Sequence, residues 1–303
     1  PMPSLSQKRL FLLDMDGTIY LDNQLFPATK PFLDHVRSLG GRYLFLTNNS
    51  SRSVEAYVEK LKKLGIDATS DDFLTSVNAL IAHLQQRKPY KLCYAFGTES
   101  FRNQLRTAGI PITDKLEDDI DCLLIAFDTE LNFQKLEDAC ILLNRGVDFI
   151  ATNPDWVCPT WYGSVPDCGS VCEMLYRATG RRPLVIGKPQ PEMAQLAMQA
   201  TGFSPEQTVM VGDRLYTDVA TGVNHGMTGI LVLSGEADMD RLPGHLPRTS
   251  PAENEYLGSA LFSGARMTGA LTGEETGLLL LMMFGPANRS NANDNTSGVV
   301  TVL

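Results

Sequence analysis

The stretch Leu10-Phe11-Leu12-Leu13-Asp14-Met15-Asp16-Gly17-Thr18 decides the reading of this chain. Four apolar residues without polar alternation read as a strand covered on both faces, as in parallel sheets. The run stops at Asp14, where two acids flank one residue ahead of a glycine able to turn tightly. By itself a D-x-D after a strand serves as well for a turn or cap as for a site. Its weight comes from what lies further along. The second apolar run, Tyr43-Leu44-Phe45-Leu46, ends in Thr47-Asn48-Asn49, and a late one, Thr208 to Val211, ends in Gly212-Asp213. In an open parallel sheet such carboxyl ends line one crevice, where ligands bind.

Helix-period segments separate the runs, the pattern of a parallel sheet flanked by helices. Pro31 opens a helix with Phe32, Leu33, Val36 and Leu39 on one face, closed by Gly40-Gly41. A helix with Val54, Tyr57, Val58, Leu61 and Leu64 follows the second strand, and Gly65 stops it. From about residue 80 the alternation restarts. Leu92 to Phe96, Cys122 to Phe127 and Phe149 to Ala151 read as strands; Ser100 to Ala108 and Phe133 to Asn144 read as helices. Leu184-Val185-Ile186 then leads into Gly187-Lys188-Pro189, a helix from Pro191 carries Met193, Leu196, Ala197 and Ala200 on one face, and Ile230 to Leu233 is a last strand. The expected organisation is a core domain of residues 1–79 and 184–241, interrupted by an α/β domain of 80–183. The tail, 242–303, is rich in Gly, Ser, Thr, Asn and Pro and is expected to be disordered or weakly docked.

The composition bounds the function. The chain has 303 residues, 43% hydrophobic and 20% charged, enough for two cores. Its 35 acidic and 26 basic residues give a formal net charge of −9, which argues against nucleic acid as a partner. No apolar run approaches the ~20 residues of a membrane span; the longest is Leu278 to Phe284. Residues 1–8 are polar and show no secretory signal. The six cysteines have no C-x-x-C spacing and read as reduced, packed thiols, so a cytoplasmic protein is expected. There is no G-x-G-x-x-G, and Gly180 to Lys188 lacks Walker A spacing, which removes two nucleotide-binding fingerprints.

Asp14-Met15-Asp16-Gly17-Thr18 matches the D-x-D-G-T signature of haloacid dehalogenase (HAD) superfamily phosphatases. Leu46-Thr47-Asn48 resembles that family's second motif, Gly187-Lys188-Pro189 its third, and Gly212-Asp213-Arg214-Leu215-Tyr216-Thr217-Asp218 its fourth. Thr47-Asn48-Asn49-Ser50, Thr152-Asn153-Pro154-Asp155 and Gly187-Lys188-Pro189-Gln190-Pro191 look more closely like the NagD-like, 4-nitrophenylphosphatase branch. The resemblance runs from about residue 8 to 235. It implies a doubly wound, Rossmann-like parallel-sheet core with an inserted α/β cap of the C2 type. It also implies magnesium-dependent hydrolysis of a small phosphate monoester through an aspartyl phosphate.

The residue chemistry agrees with these implied roles. Asp14 would attack phosphorus, splitting one hard displacement into two. Asp16 would protonate the leaving oxygen and then deprotonate water. Mg2+ would be held by Asp14, the Asp16 carbonyl and Asp213, with Asp218 either fixing a metal-bound water or serving as a helix-start acid. Gly17, Thr47 and Asn48 would offer backbone or hydroxyl donors to the phosphate, and Lys188 would neutralise its oxygens. Substrate contacts are expected from Asn49 and from the loop of residues 153–170, with Asn153, Asp155, Trp156, Cys158 and Trp161; the same aromatics serve equally as cap core. The expected partner is a small phosphorylated metabolite, with no nucleic acid and no membrane, and a homodimer stands open. A C–halogen hydrolase has no use for Asp16 or a metal. A phosphomutase usually carries a smaller helical cap, and a phosphate-binding pseudo-phosphatase would not need both Asp14 and Asp16.

Overall fold

A computed structural model describes residues 7–232 other than Lys88 and Trp161, together with 234–236 and 301–302. In chain order the first elements are β1 (Leu10–Leu13), β2 (Tyr20–Leu21), β3 (Gln24–Leu25), α1 (Thr29–Ser38), β4 (Arg42–Thr47) and α2 (Val54–Lys63). Then come β5 (Phe73–Thr75), α3 (Ser76–Gln85), β6 (Cys93–Phe96), α4 (Glu99–Thr107), β7 (Ile112–Thr113) and β8 (Cys122–Ile125). The chain continues through α5 (Phe133–Arg145), β9 (Asp148–Ala151), β10 (Val157–Thr160), β11 (Gly163–Pro166), α6 (Cys168–Thr179) and β12 (Leu184–Val185). The last are α7 (Pro191–Thr201), β13 (Thr208–Gly212), α8 (Ala220–Asn224), β14 (Thr228–Leu231) and β15 (Thr301–Val302). They form two compact units: Pro1–Leu46, Lys63–Ile66 and Ala194–Leu303 in one, Thr47–Lys62 and Asp67–Met193 in the other.

The first unit is built on a sheet in which the strands run β15-β14-β13-β1-β4. β1 pairs in parallel with both neighbours, Leu13 opposite Val211 on one side and Phe45 on the other. Every side chain of β1 is buried, as its unbroken apolar run requires. Phe11 meets Phe32 of α1 edge to face at 5.7 Å, the geometry that ring quadrupoles favour. Pro31 lies in the first turn of α1, where its missing N–H costs nothing, so the helix starts two residues before it. The chain leaves β1 toward β4 on one side and returns to β13 and β14 on the other, so strand order reverses at β1. That reversal places the end of β1, and with it Asp14, at the switch point of the sheet. β15 pairs antiparallel with β14, Thr301 opposite Leu231. The rest of the tail, expected to be disordered or weakly docked, lies outside the described residues.

The second unit has its own parallel sheet, ordered β12-β9-β8-β6-β7. Its core gathers Tyr94, Phe96, Leu123, Ile125, Phe127, Leu142, Phe149 and Leu175. Fully burying such side chains contributes about 1.5–3 kcal/mol each, which lets the unit hold itself together. Leu184–Val185, expected to resume the first sheet, pairs instead with β9 of the second. Two short parallel bonds at the edge of a sheet already present satisfy that segment without a crossing back. Within the expected contact loop of residues 153–170, β10 and β11 pair antiparallel, Val157 opposite Pro166 and Thr160 opposite Gly163. Among the described residues, no helix is long and apolar enough to cross a membrane.

Candidate active site

In the first unit the chain turns sharply after β1. The Gly17 N–H donates to Tyr20 O at 2.8 Å, and the Thr18 and Ile19 N–H groups donate to Met15 O at 3.1 and 2.9 Å. Gly17 sits at φ +91°, in the region that favours glycine, and a Cβ there would lie 2.6 Å from Asp213 Oδ2. The turn presents Asp14 at 9% exposure, with its Oδ2 accepting from Thr18 Oγ1 at 3.3 Å. Asp16 is half-buried on the same turn.

β13 delivers Asp213 beside it. The segment after β13 winds through one wide helical turn at Leu215–Val219, where Asp218 Oδ2 accepts the Arg214 N–H at 3.1 Å. The result is a carboxylate cluster: ligand-capable oxygens of Asp14, Asp213 and Asp218 lie within 4.8 Å of one another. Asp213 is fully buried. Its Oδ2 accepts the Glu236 N–H at 2.5 Å, while its Oδ1 has no hydrogen-bond partner among the described residues. Burial pushes the Asp213 carboxyl well above the usual carboxylate range; Arg214 opposes the rise, and Asp14, Asp218 and Glu236 add to it. A buried carboxylate oxygen without a donor is costly, and three all-oxygen ligands around it suit a hard cation. These residues therefore fit a magnesium ion.

The second unit holds Thr47, Asn48, Asn153, Asp155 and Lys188 as buried polar residues. Thr47, Asn48 and Lys188 are 3%, 4% and 1% exposed. The Asn48 side chain clasps the Lys188 backbone from both sides: Oδ1 accepts the Lys188 N–H at 2.9 Å and Nδ2 donates to Lys188 O at 3.0 Å. The same Nδ2 donates to Asp155 Oδ2 at 2.8 Å. The Asn48 side-chain amide is thus engaged within the unit by Lys188 and Asp155. Asn153 and Asp155, expected to touch substrate, are likewise buried and bond each other at 2.8 Å, with Asn153 Nδ2 also donating to Asp167 Oδ1 at 3.0 Å. Two buried carboxylates in an apolar unit need amide donors, and these asparagines supply them. Asn49 caps its own turn, with Oδ1 accepting from the N–H and Oγ of Ser51. Trp156 and Cys158 are half-buried, Cys158 against the unit's core. Trp161 lies outside the described residues.

Asp167, Ser234 and Glu236 were not anticipated. A signal existed for the last two: Ser234-Gly235-Glu236 follows an apolar run, as the other site segments do.

Comparison with known proteins places the chain in a family. A family model described as haloacid dehalogenase-like hydrolase matches residues 11–111, and a second HAD-like model matches 185–253. An acid sugar phosphatase of Staphylococcus aureus is 31% identical over 236 residues, covering 78% of this chain and 90% of that protein. The crystal structure of a 4-nitrophenylphosphatase from Thermotoga maritima superposes with a TM-score of 0.74 at 39% identity, covering 78% of this chain and 90% of that one. A glycerol phosphate phosphatase from Mycobacterium tuberculosis, solved with magnesium, gives 0.73 at 30% identity, covering 84% and 75%. With a Rossmann-like core whose switch point carries D-x-D-G-T, the chain belongs to the haloacid dehalogenase-like hydrolases, among their NagD-like phosphatases.

Proposed function

We propose that this phosphatase hydrolyses a small phosphate monoester with magnesium, through a phosphorylated Asp14. The observation that carries the reading is the buried Asp14–Asp213–Asp218 cluster, in which one oxygen of Asp213 has no hydrogen-bond partner among the described residues. Asp14, Asp213 and the Asp16 carbonyl would hold the ion, with Asp218 alongside. When bound, magnesium supplies the positive charge that lets a carboxylate approach a phosphate dianion. Asp14 attacks phosphorus as the bond to the leaving alcohol oxygen breaks, and Asp16 gives that oxygen its proton. Asp16 then takes a proton from water as the water oxygen displaces Asp14 from phosphorus, releasing inorganic phosphate. The Thr18 hydroxyl donates to Asp14 Oδ2 and so helps to orient that carboxylate.

We assign Thr47 and Lys188 to the transferred phosphate. Support comes from the Asn48 clasp, which holds the Lys188 backbone in place. The relatives' names, acid sugar phosphatase, 4-nitrophenylphosphatase and glycerol phosphate phosphatase, support a small organic ester as substrate. A cytoplasmic setting accords with six cysteines that all stand as free thiols.

The test is turnover of nitrophenyl phosphate by wild type and Asp14→Asn, with magnesium and after EDTA. The expected result is loss of turnover in the variant and in EDTA, restored to wild type by added magnesium. Turnover within tenfold of wild type for Asp14→Asn, a loss of only ~1.4 kcal/mol, would exclude the aspartyl phosphate. Full activity in EDTA would exclude the metal.

A further inference from the structure

We propose that Ser234-Gly235-Glu236, pinned by the ion pair of Glu236 with Arg214, is a clamp that sets which Asp213 oxygen faces the cation. The inference rests on the magnesium reading above and extends it to residues that touch neither metal nor substrate.

The segment lies across the Asp213 carboxylate and the turn after β1. Ser234 Oγ donates to Gly17 O at 2.6 Å, and the Glu236 N–H donates to Asp213 Oδ2 at 2.5 Å. Between them Gly235 presses so closely on Asp213 that any Cβ would collide with the Oδ2, Cγ and Cβ atoms of that aspartate. Only glycine allows the backbone to come near enough for the next N–H to reach the carboxylate. With Oδ2 engaged, Asp213 cannot rotate without losing that bond, and Oδ1 is left as the oxygen without a donor among the described residues.

A backbone donor is only as fixed as the segment that carries it. Here the Glu236 side chain does the fixing: Arg214 Nε donates to Glu236 Oε2 at 2.6 Å, with side chains 11% and 28% exposed, and Tyr216 OH donates to the same oxygen at 3.5 Å. Arg214 is itself anchored, since its own N–H donates to Asp218 Oδ2. The pair therefore ties both flanking aspartates of the cluster into one frame. Groups that orient metal ligands in this way typically govern affinity by 10–100-fold. Arg214 and Glu236 are positioning residues, acting through Asp213 and Asp218.

The experiment is magnesium binding by isothermal titration calorimetry to the full chain. It compares wild type, Arg214→Ala, Glu236→Ala, the double variant and Glu236→Gln, with Asp213→Asn as the control. Each alanine variant should raise the magnesium Kd about 10–100-fold. The double variant should be no weaker than the worse single, because both remove one pair. Glu236→Gln keeps an acceptor for Arg214 and should fall between Glu236→Ala and wild type. A lowered melting temperature in EDTA with an unchanged Kd would overturn the clamp and leave the pair a structural one. Multiplying Kd effects in the double variant would also overturn it. Should an alanine variant fail to fold, Arg214→Lys and Glu236→Gln carry the test, and a wild-type Kd in both refutes the proposal. A wild-type protein that binds no magnesium would overturn the metal reading itself, an outcome distinct from all of these.

Discussion

Asn48→Ala should cost the second unit more stability than its short side chain suggests. The amide makes three bonds at 4% exposure: two with the Lys188 backbone and one with the Asp155 carboxylate. Each backbone bond lost leaves a buried group short of a partner, at about 1 kcal/mol or more, and the charge-assisted bond adds about 1.5–3 kcal/mol. The loss should total about 3–5 kcal/mol. Both tryptophans of the chain, Trp156 and Trp161, belong to the second unit, so tryptophan fluorescence in urea follows its unfolding. With a slope of about 2 kcal/mol per M, the midpoint should fall by about 1.5–2.5 M. Asn48→Asp should lower it further at neutral pH, since it sets a second carboxylate against that of Asp155. A fall below about 0.5 M for Asn48→Ala would refute the clasp, for it would mean that Lys188 and Asp155 find other partners at about 1 kcal/mol or less.

Gly17→Ala should cut turnover at least 100-fold while far-ultraviolet circular dichroism stays unchanged. The new methyl must displace Asp213 Oδ2 from 2.6 Å and hold φ at +91°, and unchanged kinetics would refute the close approach. Trp156→Ala should change kcat/KM by different factors across a panel of phosphate esters, least for nitrophenyl phosphate, because the phosphate-binding residues are common to every ester. Equal losses across the panel would assign Trp156 to packing alone.

Unbroken apolar runs were the most legible part of this fold. Leu10–Leu13 and Phe133–Arg145 stand where the pattern puts them, give or take one residue, because burial on one or both faces leaves a strong periodic trace. Ile230 to Leu233 was read two residues late: β14 begins at Thr228, in a threonine and a glycine that carry no apolar signal. The two hairpins went unseen for a related reason. Tyr20–Leu21 and Gln24–Leu25 are too short to alternate, though Asp22-Asn23 between them, with Asp22 at φ +51°, is a turn signal in itself. In the site, residues at strand ends could be listed by type, but whether an amide faces outward or inward depends on partners far along the chain. Asn48 meets Lys188 across 140 positions and Asn153 meets Asp167 across 14. No local pattern records such pairings, nor the return of Glu236 to Asp213.

The Asn48 clasp also bears on how such a unit can be exchanged between proteins. It joins Asn48, next to the second unit's leading end at Thr47, to its trailing stretch at Lys188, and Ser50 adds bonds to Thr152 Oγ1 and the Phe127 N–H in the middle of the unit. A segment whose two ends are tied to each other can be moved without leaving its termini apart, which is the condition under which insertions are tolerated. The tie itself, however, sets a boundary for any graft. A transplant spliced after Asn48 and before Lys188 would separate donor residues such as Asp155 from the amide that serves them. One that carries residues 47–189 whole, with the first unit's Lys63–Ile66 among them, would bring its own grip on the lysine along with its own loop.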